Sequence, residues 1–339
     1  MPRLDRKHLA QTRWRSVTSN ISSMKLSIII STWNSIQHIK NCIGSILSLE
    51  IPSTEIIIVD SNSKDGTREY LASLEQVRFL YTNERLTWSE ANQIGLDVST
   101  GDWICLSNPD IIFNGLFKEM LEKCQSNGFL AAAPQLIYPN GKLQPPAKVI
   151  TPELSLWGHT RIGQFVLKKL GKRPTWQYQY DRNGREPIPV PFPQGSLFMF
   201  QRRVLEMFNG HLWNRGYLNG VSDFDAFLNM KMKGVLIWLF PQHKIVHFGS
   251  YITRKNPHWI ERDQARGLVL YFRYHPGMSN KLSSPLYSII FGLEGMSATG
   301  LEIFGRIVKH GNPFFNPRWT AWQAGQRILG LIDGWKYRI

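Results

Sequence analysis

Cysteine is scarce in this sequence: the 339 residues hold three, Cys42, Cys105 and Cys124, each in or beside an apolar stretch and none at paired spacing. That argues against a disulfide framework and a zinc cluster, and it fits a reducing, cytosolic setting. Long hydrophobic runs are lacking too. With no uncharged apolar stretch of about 18 residues, a spanning helix is not expected. The N-terminal "MPRLDRKHLAQTRWRSVTSNISSM" has no apolar core of the kind a secretory signal needs. Acidic residues are the third shortage, 25 against 40 lysines and arginines, for a net charge of +15.

The basic surplus is uneven. Met1 to Lys25 carries six basic residues to one acidic and Tyr251 to Ile339 twelve to five, which leaves the segment between them at +3. Such flanks suit an anionic partner: phospholipid, a polyprenyl diphosphate or nucleic acid. A nucleic-acid-binding protein would stripe its charge over the folded core, whereas this core is nearly neutral, so nucleic acid is not the expected partner. The length predicts one large domain with extensions, or two domains. Residues 1–24 are expected to be a disordered basic arm, or to lie upstream of a start at Met24.

What is present is an alternation of strand and helix signals from Leu26 onward. "LSIIIST", "EIIIVD", "VRFLYTN" and "DWICLSN" read as short strands rich in β-branched residues. Between them "SIQHIKNCIGSILSLE" has apolar residues at helical spacing, "DGTREYLASLE" restarts a helix with Asp65 or Thr67 as its cap, and "SEANQIGLDVS" is a third helix. Continuously apolar strands separated by helices predict an α/β fold with a mostly parallel sheet covered on both faces. Ligands of such sheets bind beyond the carboxyl ends of the strands. Asp60 and Asp110 both stand at such ends. Either alone could be a cap or a turn residue; two at equivalent positions mark one rim.

After Asp110 the pattern loosens. "AAAPQLIYPNGKLQPPAK" contains a Pro-Asn-Gly turn, and residues 151–193 are rich in Pro, Gly, Trp, Tyr and basic residues without clear periodicity, as a functional loop would be. "GSLFMFQRRVLEMF" then reads as a strand running into a helix, "VSDFDAFLNMKMKG" as a helix, "VLIWLFP" as a strand and "KIVHFGS" as a last strand end. Beyond Gly277 two stretches combine apolar residues at helical spacing with Trp319, Trp322, Trp335, Arg318, Arg327, Lys336 and Arg338. Tryptophan and cations on an amphipathic helix suit a membrane headgroup region; a helical hairpin packed on the main domain is the other reading, and both can hold.

Six segments, "SIIISTWN", "IIIVDSNSKDGT", "SEANQIGLDVSTGDWICLSNPDI", "QGSLFMFQRRV", "SDFDAFLNMKMKG" and "FPQHKIVHFGS", resemble in this order the family-2 inverting glycosyltransferases of the GT-A fold, especially a rhamnosyltransferase-like branch that builds cell-surface polysaccharides. The resemblance covers roughly Lys25 to Gly277. It implies a Rossmann-like, mostly parallel sheet with helices on both faces, a nucleotide-binding half over 25–113, an acceptor half over 114–277, and a helical tail over 278–339. It further implies a nucleoside-diphosphate sugar as donor, dTDP-rhamnose or a UDP-sugar, and a glycan or polyprenyl-linked acceptor at an anionic membrane surface on the cytoplasmic side.

The chemistry assigns roles to named residues. A departing nucleoside diphosphate develops negative charge, which a divalent cation offsets; hard oxygen ligands suit Mg2+ or Mn2+. By resemblance Asp110 and His247 hold that ion, with Asn108, expected at the donor nucleotide, standing where relatives often have a first acid. Thr32, Trp33, Asn34 and Asp60 line the base and ribose, with Trp33 as a stacking surface. Asn92 and Arg85 face phosphate or sugar, although Arg85 could equally be a surface residue. Inversion needs a base that takes the acceptor proton, a role worth roughly 100 to 10,000-fold in rate; Asp223 in "SDFD" matches it, with Ser222 in place of the usual glutamate. Asp225, Gly195 and Ser196 are expected at the acceptor and donor sugar. Two rival readings remain: a relative that binds nucleotide sugars without turning them over, and a nucleotidyltransferase, although "STWNSIQHIK" lacks the glycine-rich loop with Arg and Lys that the latter needs.

Overall fold

The computed structural model of the chain describes residues 24–145, 180–181, 183–218, 220–249, 257–276 and 321–338, with isolated positions within 165–171 and 285–292. The N-terminal arm, the first part of the 151–193 insertion and most of 278–320 lie outside the described residues.

The first half follows the strand-helix alternation read from the sequence. Strand β1 (Leu26–Thr32) leads into α1 (Ile36–Leu47), β2 (Thr54–Ser61), α2 (Thr67–Ala72), β3 (Arg78–Thr82), α3 (Trp88–Val98) and β4 (Trp103–Ser107). All seven β1 residues are buried, because both faces of the sheet are covered and an alternating pattern would leave polar groups without water. Ile28 and Ile30 pack on one face with Ile39, Cys42, Ile43 and Ile46 of α1, while Ile29 faces the opposite cluster with Ala91 and Leu96 of α3. The start of α3 is held by a capping box in which the Glu90 N–H donates to Thr87 and the Thr87 N–H donates to Glu90. The cap of α2 differs from expectation: Gly66 takes that position in a left-handed conformation, and Asp65 instead accepts from the backbone N–H groups of Thr67 and Ile36.

The second half adds β5 (Ile111–Ile112), α4 (Gly115–Ser126), β6 (Ala131–Ile137), β7 (Ile188–Val190), β8 (Leu197–Gln201), α5 (Arg202–Glu206), α6 (Ser222–Met232), β9 (Ile237–His247), α7 (Pro257–Tyr274) and α8 (Ala321–Lys336). Strand order is β3-β2-β1-β4-β8-β6-β9-β5, with β7 paired to β9. The β1, β2, β3 and β4 pairings are parallel, whereas β8 runs antiparallel to both β4 and β6. The two strand signals "VLIWLFP" and "KIVHFGS" form one strand, β9, whose pairing with β6 slips between Pro134 and Gln135 so that Phe240 and then Lys244 are successive partners. A proline cannot donate to the ladder, and a bulge is where a sheet tolerates one. Helix α8 lies against α7: Arg262 pairs with Asp333 at 2.6 Å, Arg273 donates to the Gly334 carbonyl at 2.6 Å, and Leu331 joins the core. For this part of the tail the packed-helix reading holds. Among the described residues no helix is long and apolar enough to cross a membrane.

Candidate functional site

Register brings the ends of the first strands side by side, with Thr32 paired to Asp60 and Ile30 to Ser107. Asp60 is fully enclosed. The Ser63 N–H donates to its Oδ2 at 3.0 Å and the Ser63 hydroxyl to Oδ1. Burial pushes the Asp60 pKa up, and the two Ser63 bonds oppose that rise. The loop after β1 is tied to the same turn: the Asn34 N–H donates to Ser63 Oγ at 2.7 Å and the Lys64 N–H to Asn34 Oδ1 at 2.7 Å. Trp33 stands at this rim with the Arg85 guanidinium 4.4 Å from its ring centre, a cation–π contact. Asn92 lies beneath, its amide donating to Ser31 and to the Trp88 carbonyl while its Oδ1, like Thr32 Oγ1, has no hydrogen-bond partner among the described residues.

The stretch after β4 explains why an acid follows a buried strand. The Asn108 N–H donates to the Ser196 carbonyl at 2.8 Å, and its Oδ1 accepts from Trp88 Nε1 at 3.3 Å. The chain then turns so that β5 pairs antiparallel with the end of β9, setting Ile111 opposite His247. That pairing brings Asp110 Oδ1 within 3.3 Å of His247 Nε2. The other carboxylate oxygen accepts from the Gly249 N–H at 3.1 Å. Both side chains are nearly buried, the residues being 7% and 6% exposed.

Gln144 fixes the imidazole. Its Nε2 donates to the His247 carbonyl at 2.6 Å, so its Oε1, 2.8 Å from Nδ1, is the acceptor and Nδ1 carries the proton. In the neutral ring Nε2 then presents a lone pair toward Asp110, and among the described residues it makes no hydrogen bond. Two acceptors facing each other at this distance repel unless a proton or a cation lies between them. The pair therefore fits a divalent ion, its mixed oxygen and nitrogen set suiting Mn2+ better than Mg2+, which prefers oxygen alone. Among the described residues no third His, Cys, Asp or Glu joins them, so remaining ligands would come from phosphate or water.

Asp223 enters the rim from α6. A methyl group built on Gly195 would lie 2.3 Å from Asp223 Oδ2 and 2.5 Å from its Cβ, so the carboxylate rests on the bare backbone of Gly195, next to the Ser196 carbonyl that Asn108 holds. Pairing thus sets Thr32 beside Asp60 on one side, and on the other the Asn108–Ser196 bond ties the end of β4 to the 195–196 backbone on which Asp223 rests, with Asp110 two residues after Asn108. Asp225 does not face the cleft, contrary to expectation. It is 0% exposed. Its carboxylate accepts from the Asn214 N–H at 2.6 Å and the Tyr217 hydroxyl at 3.0 Å, and His275 Nε2 sits 2.5 Å away. Two residues apart on a helix point to different sides, which is why Asp223 and Asp225 have such different surroundings.

Sequence reading missed four participants. Gln144 lies in a loop after a strand with no periodic signal; Ser63 belongs to a polar cluster that marked only a turn. Trp88 and Trp213, 5.5 Å apart between ring centres, join the two halves of the site, and spacing alone could not pair residues so far apart in sequence.

A family model described as Glycosyl transferase family 2 matches residues 27–208. Glycosyltransferase GlyG of Streptococcus pneumoniae serotype 4 is 23% identical over 105 residues, 30% of this chain and 35% of that protein, so the alignment spans about a third of the relative's length. Solved structures that the chain resembles include the mannosyltransferase PcManGT from Pyrobaculum calidifontis in complex with GDP-Man and Mn2+, with a TM-score of 0.49, 14% identity and coverage of 92% of this chain and 87% of that one. TarS 1-349 of S. aureus gives a TM-score of 0.47 and 12% identity, over 79% of each chain.

Proposed function

The chain belongs to the family-2 glycosyltransferases, and from that premise we propose that it transfers a sugar, with inversion, from a nucleoside-diphosphate donor to a hydroxyl of a glycan or lipid-linked acceptor. The facing of Asp110 Oδ1 and His247 Nε2 at 3.3 Å carries the reading. A carboxylate and an oriented imidazole beyond the carboxyl ends of the strands are what a metal-assisted departure of diphosphate requires. Asp110 and His247 would hold Mn2+ or Mg2+, and the ion when bound supplies positive charge against the leaving phosphates.

The rest is assigned to the chain's own side chains. Trp33 and Asn34 face the base and ribose, and Asp60 holds the Ser63 turn beneath them. Asp223 takes the proton of the acceptor hydroxyl as that oxygen bonds to the anomeric carbon from the face opposite the diphosphate; the bond from the anomeric carbon to the diphosphate oxygen breaks, and nucleoside diphosphate leaves. Gly195 keeps the backbone low enough for donor sugar and Asp223 to share the space. The donor we favour is dTDP-rhamnose or a UDP-sugar, on the resemblance to the rhamnosyltransferase-like branch, in the assembly of cell-surface polysaccharide.

The exposed side chains of Leu329, Ile332 and Trp335 follow one face of α8 and end at Lys336 and Arg338, which favours contact with an anionic membrane surface. Flotation with anionic liposomes at low salt tests this, and absence of binding removes it. For the reaction, a panel of nucleotide sugars is incubated with and without Mn2+ and the product's anomeric configuration is read by NMR. Turnover that needs the ion and inverts the anomeric carbon supports the reading; retention, or no turnover with any donor, overturns it.

A further inference from the structure

Two features around the first turn of α6 are not explained by substrate binding. Val221, the residue before the helix, has φ 69°, a left-handed conformation that is costly for a β-branched side chain and persists only where surrounding structure enforces it. Asp225, one turn on, is a fully buried carboxylate with partners from two other segments, the 212–217 loop and His275. Both are answered by α7 and the residue that directly follows it, His275. Gly267 of α7 packs so closely that a methyl there would lie 2.9 Å from Val221 Cγ2 and 3.2 Å from the Gly220 carbonyl. Eight residues on, about 12 Å along a helix, His275 meets Asp225 at 2.5 Å. Helix α7 and His275 therefore grip the turn that presents Asp223 at two points, one on each side of it in the chain.

We propose that Asp225 and His275 are positioning residues for Asp223: they lock α7 and the 212–217 loop onto α6 so that the strained turn holds the Asp223 carboxylate over Gly195. This rests on the reading of Asp223 as the base. The same lock orders the cleft wall, because Asn214 and Tyr217 bond to Asp225 while Trp213 of their loop packs on Trp88, and Ser89 donates to the Tyr217 carbonyl. Helix α8 braces α7 from behind through the Arg262–Asp333 pair. The family match ends at residue 208, so the grip is built from the part of the chain beyond it.

The test is a double-mutant cycle with His275→Asn and Asp225→Asn, read as kcat, acceptor KM and the thermal shift given by UDP and dTDP. Each single change is expected to lower kcat by about 10 to 100-fold, the loss expected when a reacting group moves by roughly an ångström or less. Acceptor KM and the nucleotide-induced shift should stay within about twofold, and the double variant should be no worse than the poorer single one, as for residues acting as a unit. A rise in acceptor KM with kcat retained would mean that Asp225 touches the acceptor, and full additivity would mean that the two act separately; either overturns the proposal. Should Asp225→Asn fail to fold, Gly267→Ala probes the other grip and should lower kcat in the same way, unchanged kcat being the refuting result. If the wild-type protein turns over no nucleotide sugar, the catalytic reading itself has failed; if it does and the variants match it, only this inference has.

Discussion

Gly195→Ala adds one methyl group at the point where the second half of the sheet meets the candidate base. That carbon would stand 2.3 Å from Asp223 Oδ2, 2.5 Å from its Cβ and 2.8 Å from its Cγ, whereas ordinary contact begins at 3.4 Å. The shortfall is about 1 Å over three atoms of one side chain, too much for a change of torsion alone to absorb because Cβ itself is among them. Either Asp223 with the first turn of α6 moves back or the 194–196 backbone does. A displacement of about 1 Å at a reacting group costs roughly 100-fold, about 2.7 kcal/mol in activation free energy. Folding has less reason to suffer, since alanine loses less chain entropy than glycine, by about 0.4–1 kcal/mol, which offsets part of the strain. The assay is steady-state transfer with the best donor from the panel, alongside UDP or dTDP binding by thermal shift. A variant that binds nucleotide normally but has kcat about 100-fold down agrees with the geometry; kcat within threefold of wild type would refute it, because Asp223 could not then be working from the place where it lies.

Other substitutions separate the remaining parts. Gln144→Leu removes the acceptor that fixes the His247 tautomer and should weaken Mn2+ binding in the presence of UDP by about 10 to 100-fold, measured by calorimetric titration; unchanged affinity would disconnect Gln144 from the ion. Glu55→Gln acts at the other end of β2 from Asp60, on the amino-terminal rim of the sheet. Burial alone would raise the Glu55 pKa, but bonds from Ser27 and Thr100, with Lys25 nearby, hold it below the ordinary value. A lowered folded-state pKa contributes stability above the unfolded pKa, about 4.3, that disappears as pH falls through the folded one. Glu55→Gln should therefore lower Tm by a few degrees at pH 7, with the gap to wild type closing below about pH 4, and should leave nucleotide binding unchanged; a gap that persists in acid would contradict the assignment. The raised pKa of Asp60 predicts that nucleotide binding weakens in acid before an ordinary aspartate, near pH 3.9, would protonate; binding constant down to pH 4 would show that its ionised form is not needed.

How much of this was legible in the sequence depends on whether the signal was local. The first four strands and the helices between them were, because β-branched runs and 3.6-residue spacing report directly on burial; β1 was bounded to the residue. Strand β6 was hidden by its composition, "AAAPQLI", in which three alanines and a proline argue against a strand; the ladder accepts Pro134 because the register slips there. Strand β5 is two residues long and exists through its pairing with β9. At the site, Asp60, Asp110 and Asp223 were visible as acids at strand ends and a helix start. His247 stood out at the end of a strand. Only the resemblance paired His247 with Asp110, since their approach depends on antiparallel pairing of residues more than a hundred positions apart, which no local pattern reports. The two aspartates in "SDFD" look alike as letters, and only the packing of Asn214, Tyr217 and His275 around Asp225 shows that it is the enclosed one.

The most direct test of the account is Asp223→Asn. With Mn2+ and an accepted nucleotide sugar, the variant should show no measurable sugar transfer while its affinity for the nucleoside diphosphate equals that of wild type. Transfer at the wild-type rate would contradict the assignment of the base and with it the mechanism built on this cleft.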